Sequence, residues 1–299
     1  MPNRWFAPVS SARAEVVAVF GPTASGKSAV AEAVAGRLGT EVVSADAMQV
    51  YRGLPILTNQ PPTPTRLVGI RALDEEMSVG AFGELAHGEI DALVDDRGAA
   101  VVCGGTGLYL RAALAELDIP PAVHPETRAR VAREVDHDRH AAHLRLGHLD
   151  PAAAAAVHPH DRKRLVRALE LAEEGASLVA NQDRLWAGAT RRPTVIVGLE
   201  VAPDVLEGRI RKRTETMFER GVVDEVRAAL SGPVSRTAEK TLGLTEIAEL
   251  GPDALEPIVA RTRRYAAYQR KWMRRIPDLV LLDGTRAPGE LADDIVELA

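Results

Sequence analysis

The chain has 299 residues, 46% hydrophobic and 26% charged, enough for the core of one large or two smaller globular domains. Its formal net charge of −5 excludes a global pull toward nucleic acid, so any RNA contact must come from local basic patches. The single cysteine, Cys103, excludes an internal disulfide and fits a reducing cytoplasm; no apolar run reaches membrane-spanning length and no signal pattern opens the chain.

Residues 1–13 read as a loose leader. The first buried strand is the apolar run Val16–Phe20, followed by GPTASGKS and then a helical pattern over 28–38. Strand, glycine loop, Lys-Ser and helix in that order make a P-loop, which turns backbone N–H groups toward linked phosphates at a helix N-terminus. Gly21, Pro22, Thr23, Ala24, Ser25, Gly26, Lys27 and Ser28 are the expected phosphate holders, with Ser28 the ligand for Mg²⁺.

A second strand over 41–44 runs to Asp46. Ligands of open α/β sheets lie beyond the carboxyl ends of strands, so Asp46 is expected beside the phosphates. It could hold Mg²⁺, act as a general base, or cap the next helix. A third strand over 99–103 enters Gly104-Gly105-Thr106-Gly107, where close approach to a ligand and tight helix–strand packing explain the glycines equally well. A strand-free helical stretch follows over 120–192, with one clear helix capped by Asp161 and stopped by Gly175. His137, His140 and His143 share helical spacing there, but their charged neighbours read as a solvated face rather than a metal site. Strands over 194–201 and 279–282 complete the set.

This order predicts an α/β fold, a P-loop NTPase-like parallel sheet flanked by helices. Residues 14–119 and 193–299 form the expected core, and 120–192 a helical insertion subdomain. Three cationic segments follow the same logic: 161–167, 209–213 and 261–275, the last with Tyr265, Tyr268 and Trp272 among its arginines. Basic side chains with aromatics suit phosphate contacts and base stacking, and arginine also suits pyrophosphate. A P-loop kinase or ATPase is the competing class, with Asp283 after the last apolar run as its acid.

The residues resemble one family, the tRNA dimethylallyltransferases. GPTASGKS, SADAMQVYRGL, GGTGLYLRAAL, HPHDRKRLVRALEL, RIRKRTETMFERGVVDEV and TRRYAAYQRKWMRR resemble its blocks in order, from about residue 16 to 283. The resemblance implies transfer of a dimethylallyl group from dimethylallyl diphosphate to N6 of an adenine next to the anticodon of tRNA. It implies release of pyrophosphate with Mg²⁺ as cofactor; a cytoplasmic location, no membrane partner and a monomer are expected alongside it. Asp46, Thr106 and Arg213 would be catalytic, with Arg209 joining the P-loop on the diphosphate. Met48, Gln49, Arg128, Lys163, Arg164, Arg167, Gln269, Arg270, Trp272 and Arg274 would meet the acceptor or the tRNA anticodon stem-loop. The chain departs from the family pattern at Ala47, Gln60, Ile70-Arg71, Leu244-Thr245 and Ala267-Tyr268, mostly on the acceptor side, and it has no Cys/His zinc-finger tail. Those departures keep a free adenine nucleotide (AMP, ADP or ATP) or another small molecule as the alternative acceptor.

Overall fold

The structure, a computed structural model, describes residues 13–117, 123–179 and 189–299. The expected leader thus lies outside the described residues except for its last position. In chain order the elements are β1 (Val16–Phe20), α1 (Lys27–Leu38), β2 (Val42–Ser44), α2 (Val79–Arg97), β3 (Ala100–Gly104), α3 (Gly107–Leu114), α4 (Pro125–His137), α5 (Arg139–Leu149), α6 (Pro151–Ala156), α7 (Arg162–Glu173), β4 (Thr194–Glu200), α8 (Pro203–Glu219), α9 (Val222–Ala229), α10 (Leu244–Leu250), α11 (Leu255–Met273), β5 (Val280–Asp283) and α12 (Pro288–Leu298).

The five strands form one parallel sheet in the order β2-β3-β1-β4-β5. Every residue of β1 and β3 is buried, which is why each reads as an unbroken apolar run. Parallel neighbours need crossover helices, and these cover the faces of the sheet. On one face α1 and α12 pack over β1, β3 and β4 through Val30, Val34, Leu291 and Ile295 against Val17, Val101 and Val197. β1 sits in the middle with Val16 beside both Ala100 and Thr194, so the loop after it opens at the centre of the carboxyl edge. β5 is an edge strand, buried on alternate residues only in part.

The sequence reading assigns no helix to α2. Its stop and start are legible: the Ser78 hydroxyl accepts from Ala81 N at 3.1 Å, and Gly98 ends it in the left-handed region at φ 77°. The buried stripe Phe82, Ala86, Ile90, Leu93 and Val94 is masked in the sequence by Gly83, Gly88 and several acids.

The described residues fall into two compact units, 13–116 with 189–299, and 117 with 123–179. The second unit is helical throughout its described part and has its own core of Val131, Val135, Leu146, Leu165 and Leu169. Asp161 caps α7 through Arg164 N at 3.1 Å, as the sequence indicates. The His143 ring bonds the carbonyl oxygens of Ala154 and Val157 at 3.1 and 2.9 Å, so it ties α5 to the α6 turn. Among the described residues, no helix is long and apolar enough to cross a membrane.

Candidate active site

The P-loop, the ends of β2 and β3, and one face each of α8 and α11 enclose a cavity of about 790 Å³. All of it belongs to the first unit. Thr23, Ala24, Gly26, Lys27 and Ser28 line it from the loop; Gly21, Pro22 and Ser25 do not. Those three set the turn instead. Ser25 N donates to Pro22 O at 3.1 Å, and a Cβ on Gly21 would meet Ser25 Oγ at 2.6 Å. Ala24 and Gly26 take the left-handed conformation, at φ 64° and 92°, which bends the backbone into an anion-binding nest ahead of α1.

Asp46 reaches this cavity because the chain leaving β2 crosses tightly over β3. Ala45 N donates to Cys103 O at 2.7 Å, and a Cβ on Gly104 would lie 2.5 Å from Ala45 O. Gly105 and Gly107 are likewise packed, against Gln269 and the Trp272 ring. Of the two explanations open for the Gly104–Gly107 segment, packing accounts for all three glycines. The capping role of Asp46 also exists: Oδ1 accepts from Met48 N at 2.9 Å. That bond fixes the carboxylate while it still lines the cavity. Thr106 lines the same space and shares a 2.9 Å hydrogen bond with the Tyr265 hydroxyl.

Arg213 projects from α8 and donates to Thr23 Oγ1 at 2.7 Å. One turn earlier, Arg209 donates to Ser25 O at 3.3 Å and Gly284 O at 3.2 Å. Burial lowers the pKa of Arg213, with Asp46 opposing. Burial also lowers Lys27, Arg213 adding to the effect while Asp46 resists it. Two buried cations side by side repel each other more than the one Asp46 carboxylate offsets, and a further anion would relieve this. Diphosphate affinity is therefore expected to fall as pH rises through a Lys27 pKa that lies below its usual 10.5. Titration calorimetry with pyrophosphate against pH checks this, and Lys27→Arg should remove that alkaline loss. Cys103 also lines the cavity; burial first of all pushes its thiol up to about 11, so it is no nucleophile at neutral pH.

Gln49 lines the cavity with its amide already engaged, accepting from Ser44 Oγ at 2.9 Å and donating to Asn59 O at 3.0 Å. Met48 also lines it, with its Sδ 3.2 Å from the Thr241 hydroxyl oxygen. Gln269 corrects a sequence expectation. Its position among cations suggests an RNA contact, yet it is 2% exposed. Its Oε1 accepts from Thr23 N at 2.7 Å and its Nε2 donates to Gly105 O at 2.8 Å. It joins the P-loop to the end of β3, and it also takes the Thr23 N–H out of use for phosphate. Gln269→Ala would strand two buried main-chain groups at about 1–3 kcal/mol each, which a urea unfolding curve would register.

Arg270 and Arg274 do not line the main cavity. They border a small hollow beside Leu199, Glu200 and Val201. The Trp272 ring packs on Gly107 and edge-on to Tyr268 at 6.1 Å. In the second unit, Arg128 and Arg167 both bond the buried Glu170, at 3.0 and 3.2 Å, which compensates its charge. Lys163 and Arg164 are exposed and form no ion pair among the described residues. Asp283 accepts from Thr285 N and Oγ1 at 2.9 and 2.7 Å and lies outside the cavity lining, so it caps its own turn. Tyr265, Arg261 and Arg264, all within the basic and aromatic segment 261–275, line the cavity; Lys240 and Met217 line it too and were not singled out in the sequence. Tyr265 stands four residues before Gln269 on the inward side of α11.

The site and fold together define an α/β protein of P-loop type, whose glycine-rich loop faces a carboxylate across one cavity. The IPP transferase family model matches residues 49–276, and the isopentenyl transferase model matches 14–74. A tRNA dimethylallyltransferase of Mycolicibacterium gilvum is 38% identical over 295 residues, covering 92% of this chain and 93% of the relative. That of Mycobacterium tuberculosis is 38% identical over 311 residues, covering 94% and 98%. The tRNA isopentenylpyrophosphate transferase of Bacillus halodurans superposes with a TM-score of 0.68 at 29% identity, over 96% and 95% of the two chains. A eukaryotic dimethylallyltransferase acting on tRNA shares the fold, with a TM-score of 0.74 at 24% identity, over 91% of this chain and 74% of that one. The chain belongs to the IPP transferase family.

Proposed function

We propose that this protein transfers a dimethylallyl group from dimethylallyl diphosphate to N6 of an adenine in tRNA next to the anticodon. The observation that carries the chemistry is the convergence of Lys27, Arg213 and Asp46 on one cavity, two cations at the P-loop facing one carboxylate. The diphosphate lies against the loop from Thr23 to Ser28, with Arg209 and Arg213 along its side. The adenine N6 attacks C1 of the allyl group, the C1–O bond breaks, and its electron pair leaves on pyrophosphate. Asp46 takes the N6 proton, and Thr106 helps orient the amino group. Charge that develops on the leaving group meets donors already in place.

Ser28 stands on the first turn of α1 at the cavity wall, and no group of three or more His, Cys, Asp or Glu among the described residues could cage a metal. A lone hydroxyl with substrate oxygens and waters is a donor set that suits Mg²⁺. When bound, Mg²⁺ spreads the negative charge of the diphosphate.

The acceptor is tRNA, in keeping with the relatives of known name. Several departures from the family pattern also fall where the cavity loses nothing. Leu244 is buried in an apolar cluster, and the Gln60 amide donates to Tyr51 O at 2.8 Å. Lys163 and Arg164, exposed on the helical unit, are the proposed phosphate contacts there. An adenine in a stem-loop must leave its stack to reach such a cavity. The protein acts as a cytoplasmic monomer, where its tRNA is found. Labelled dimethylallyl diphosphate offered with unmodified tRNA or with AMP tests the reading: label is expected in tRNA, and label in AMP alone sinks it.

A further inference from the structure

The cavity has a far end that the phosphate chemistry does not use. Arg209, Arg213 and Met217 recur every four residues on α8, so they share one face. Met217 stands one turn beyond Arg213, about 6 Å farther from the P-loop along the axis. α11 runs alongside in the opposite sense, with Gln269 on the loop and Ile258 about 16 Å back along its axis. Met217, Ile258, Leu57 and Leu242 line the cavity there. The first three belong to a buried apolar cluster, and Leu242 packs against it. Gly243, at φ +94°, packs closely against this group: a Cβ on it would lie 2.9 Å from Leu57 Cδ1. The nearby hydroxyls of Thr214 and Thr241 donate to Ile210 O at 2.9 Å and Ala238 O at 2.7 Å, so neither donor is left for a ligand.

A ligand that fits is charged at one end and hydrocarbon at the other. We propose that this apolar end receives the prenyl chain, and that Met217 with Leu242 limits it to one isoprene unit. The inference rests on the diphosphate assignment above. One turn of helix separates the arginine at the diphosphate from the methionine, room for a short hydrocarbon and not for two isoprene units. Truncating the methionine opens space that a longer chain fills, and each buried methylene then adds affinity.

The test compares dimethylallyl and geranyl diphosphates as donors to tRNA in Met217→Ala and Leu242→Ala, with pyrophosphate binding measured alongside. The geranyl-to-dimethylallyl ratio of kcat/KM is expected to rise at least about tenfold in either variant. Met217→Phe, which fills the same space, should weaken dimethylallyl diphosphate about tenfold and leave pyrophosphate unchanged. Met217 is buried at 5% exposure, so its truncation could unfold the helix; Leu242, on a loop, then carries the comparison. An unchanged ratio in the folded variants, or equal losses of both ligands in Met217→Phe, overturns the gauge. If the unaltered protein binds no pyrophosphate, the diphosphate assignment itself fails and the gauge falls with it.

Discussion

Asp46→Ala and Asp46→Asn are each expected to lower prenyl transfer about 10²–10⁴-fold, the usual worth of a positioned general base. The two variants separate the roles that the structure gives this residue. Asparagine keeps an oxygen for the 2.9 Å bond from Met48 N, so the local turn survives, but it cannot take the proton. Alanine loses both. Similar losses in the two variants would therefore assign the effect to the carboxylate rather than to the turn. Pyrophosphate should bind no worse in either variant, and somewhat better, because a negative charge facing Lys27 and Arg213 has been removed. A wild-type rate in Asp46→Asn would end the proton-acceptor assignment.

Arg213→Ala is expected to lower kcat/KM for dimethylallyl diphosphate about 10²–10³-fold, as for the loss of one donor aimed at developing charge. Its guanidinium is held in place before any ligand arrives by the 2.7 Å bond to Thr23 Oγ1. Lysine should not restore the rate, since one ammonium cannot contact Thr23 and a diphosphate oxygen with the same planar fork. Product inhibition by pyrophosphate should weaken in parallel. If that inhibition is untouched, the arginine serves the loop and not the ligand.

How far the sequence went can be judged from these same residues. The P-loop and the buried strands were legible because both carry dense local signals: glycine spacing in one, continuous apolar runs in the other. Asp46 was legible through a general rule about strand ends. The sheet order was not, because nothing local states that β1 lies between β3 and β4. Gln269 was misplaced for a physical reason. Its neighbours Arg270, Lys271 and Arg274 suggest an outward face, while the helical stripe Thr262, Ala266, Gln269 and Met273 turns inward. A polar residue on an apolar stripe was the available sign that it bonds something buried. Arg128 and Arg167 show the same limit in reverse: their charges point to RNA until Glu170 is seen between them.

The bond from Thr23 N to Gln269 spans 246 positions of the chain. Another, from Ala14 N to Ala299 O at 2.7 Å, joins the segment just ahead of the first strand to residue 299. The consequence is one of timing. During synthesis the phosphate loop emerges 246 residues ahead of the residue that clamps it. Contacts of such long sequence separation close late and slow the folding of the whole. The nascent loop is therefore a glycine-rich turn without its clamp, and amide exchange at Thr23 would report the moment when Gln269 arrives.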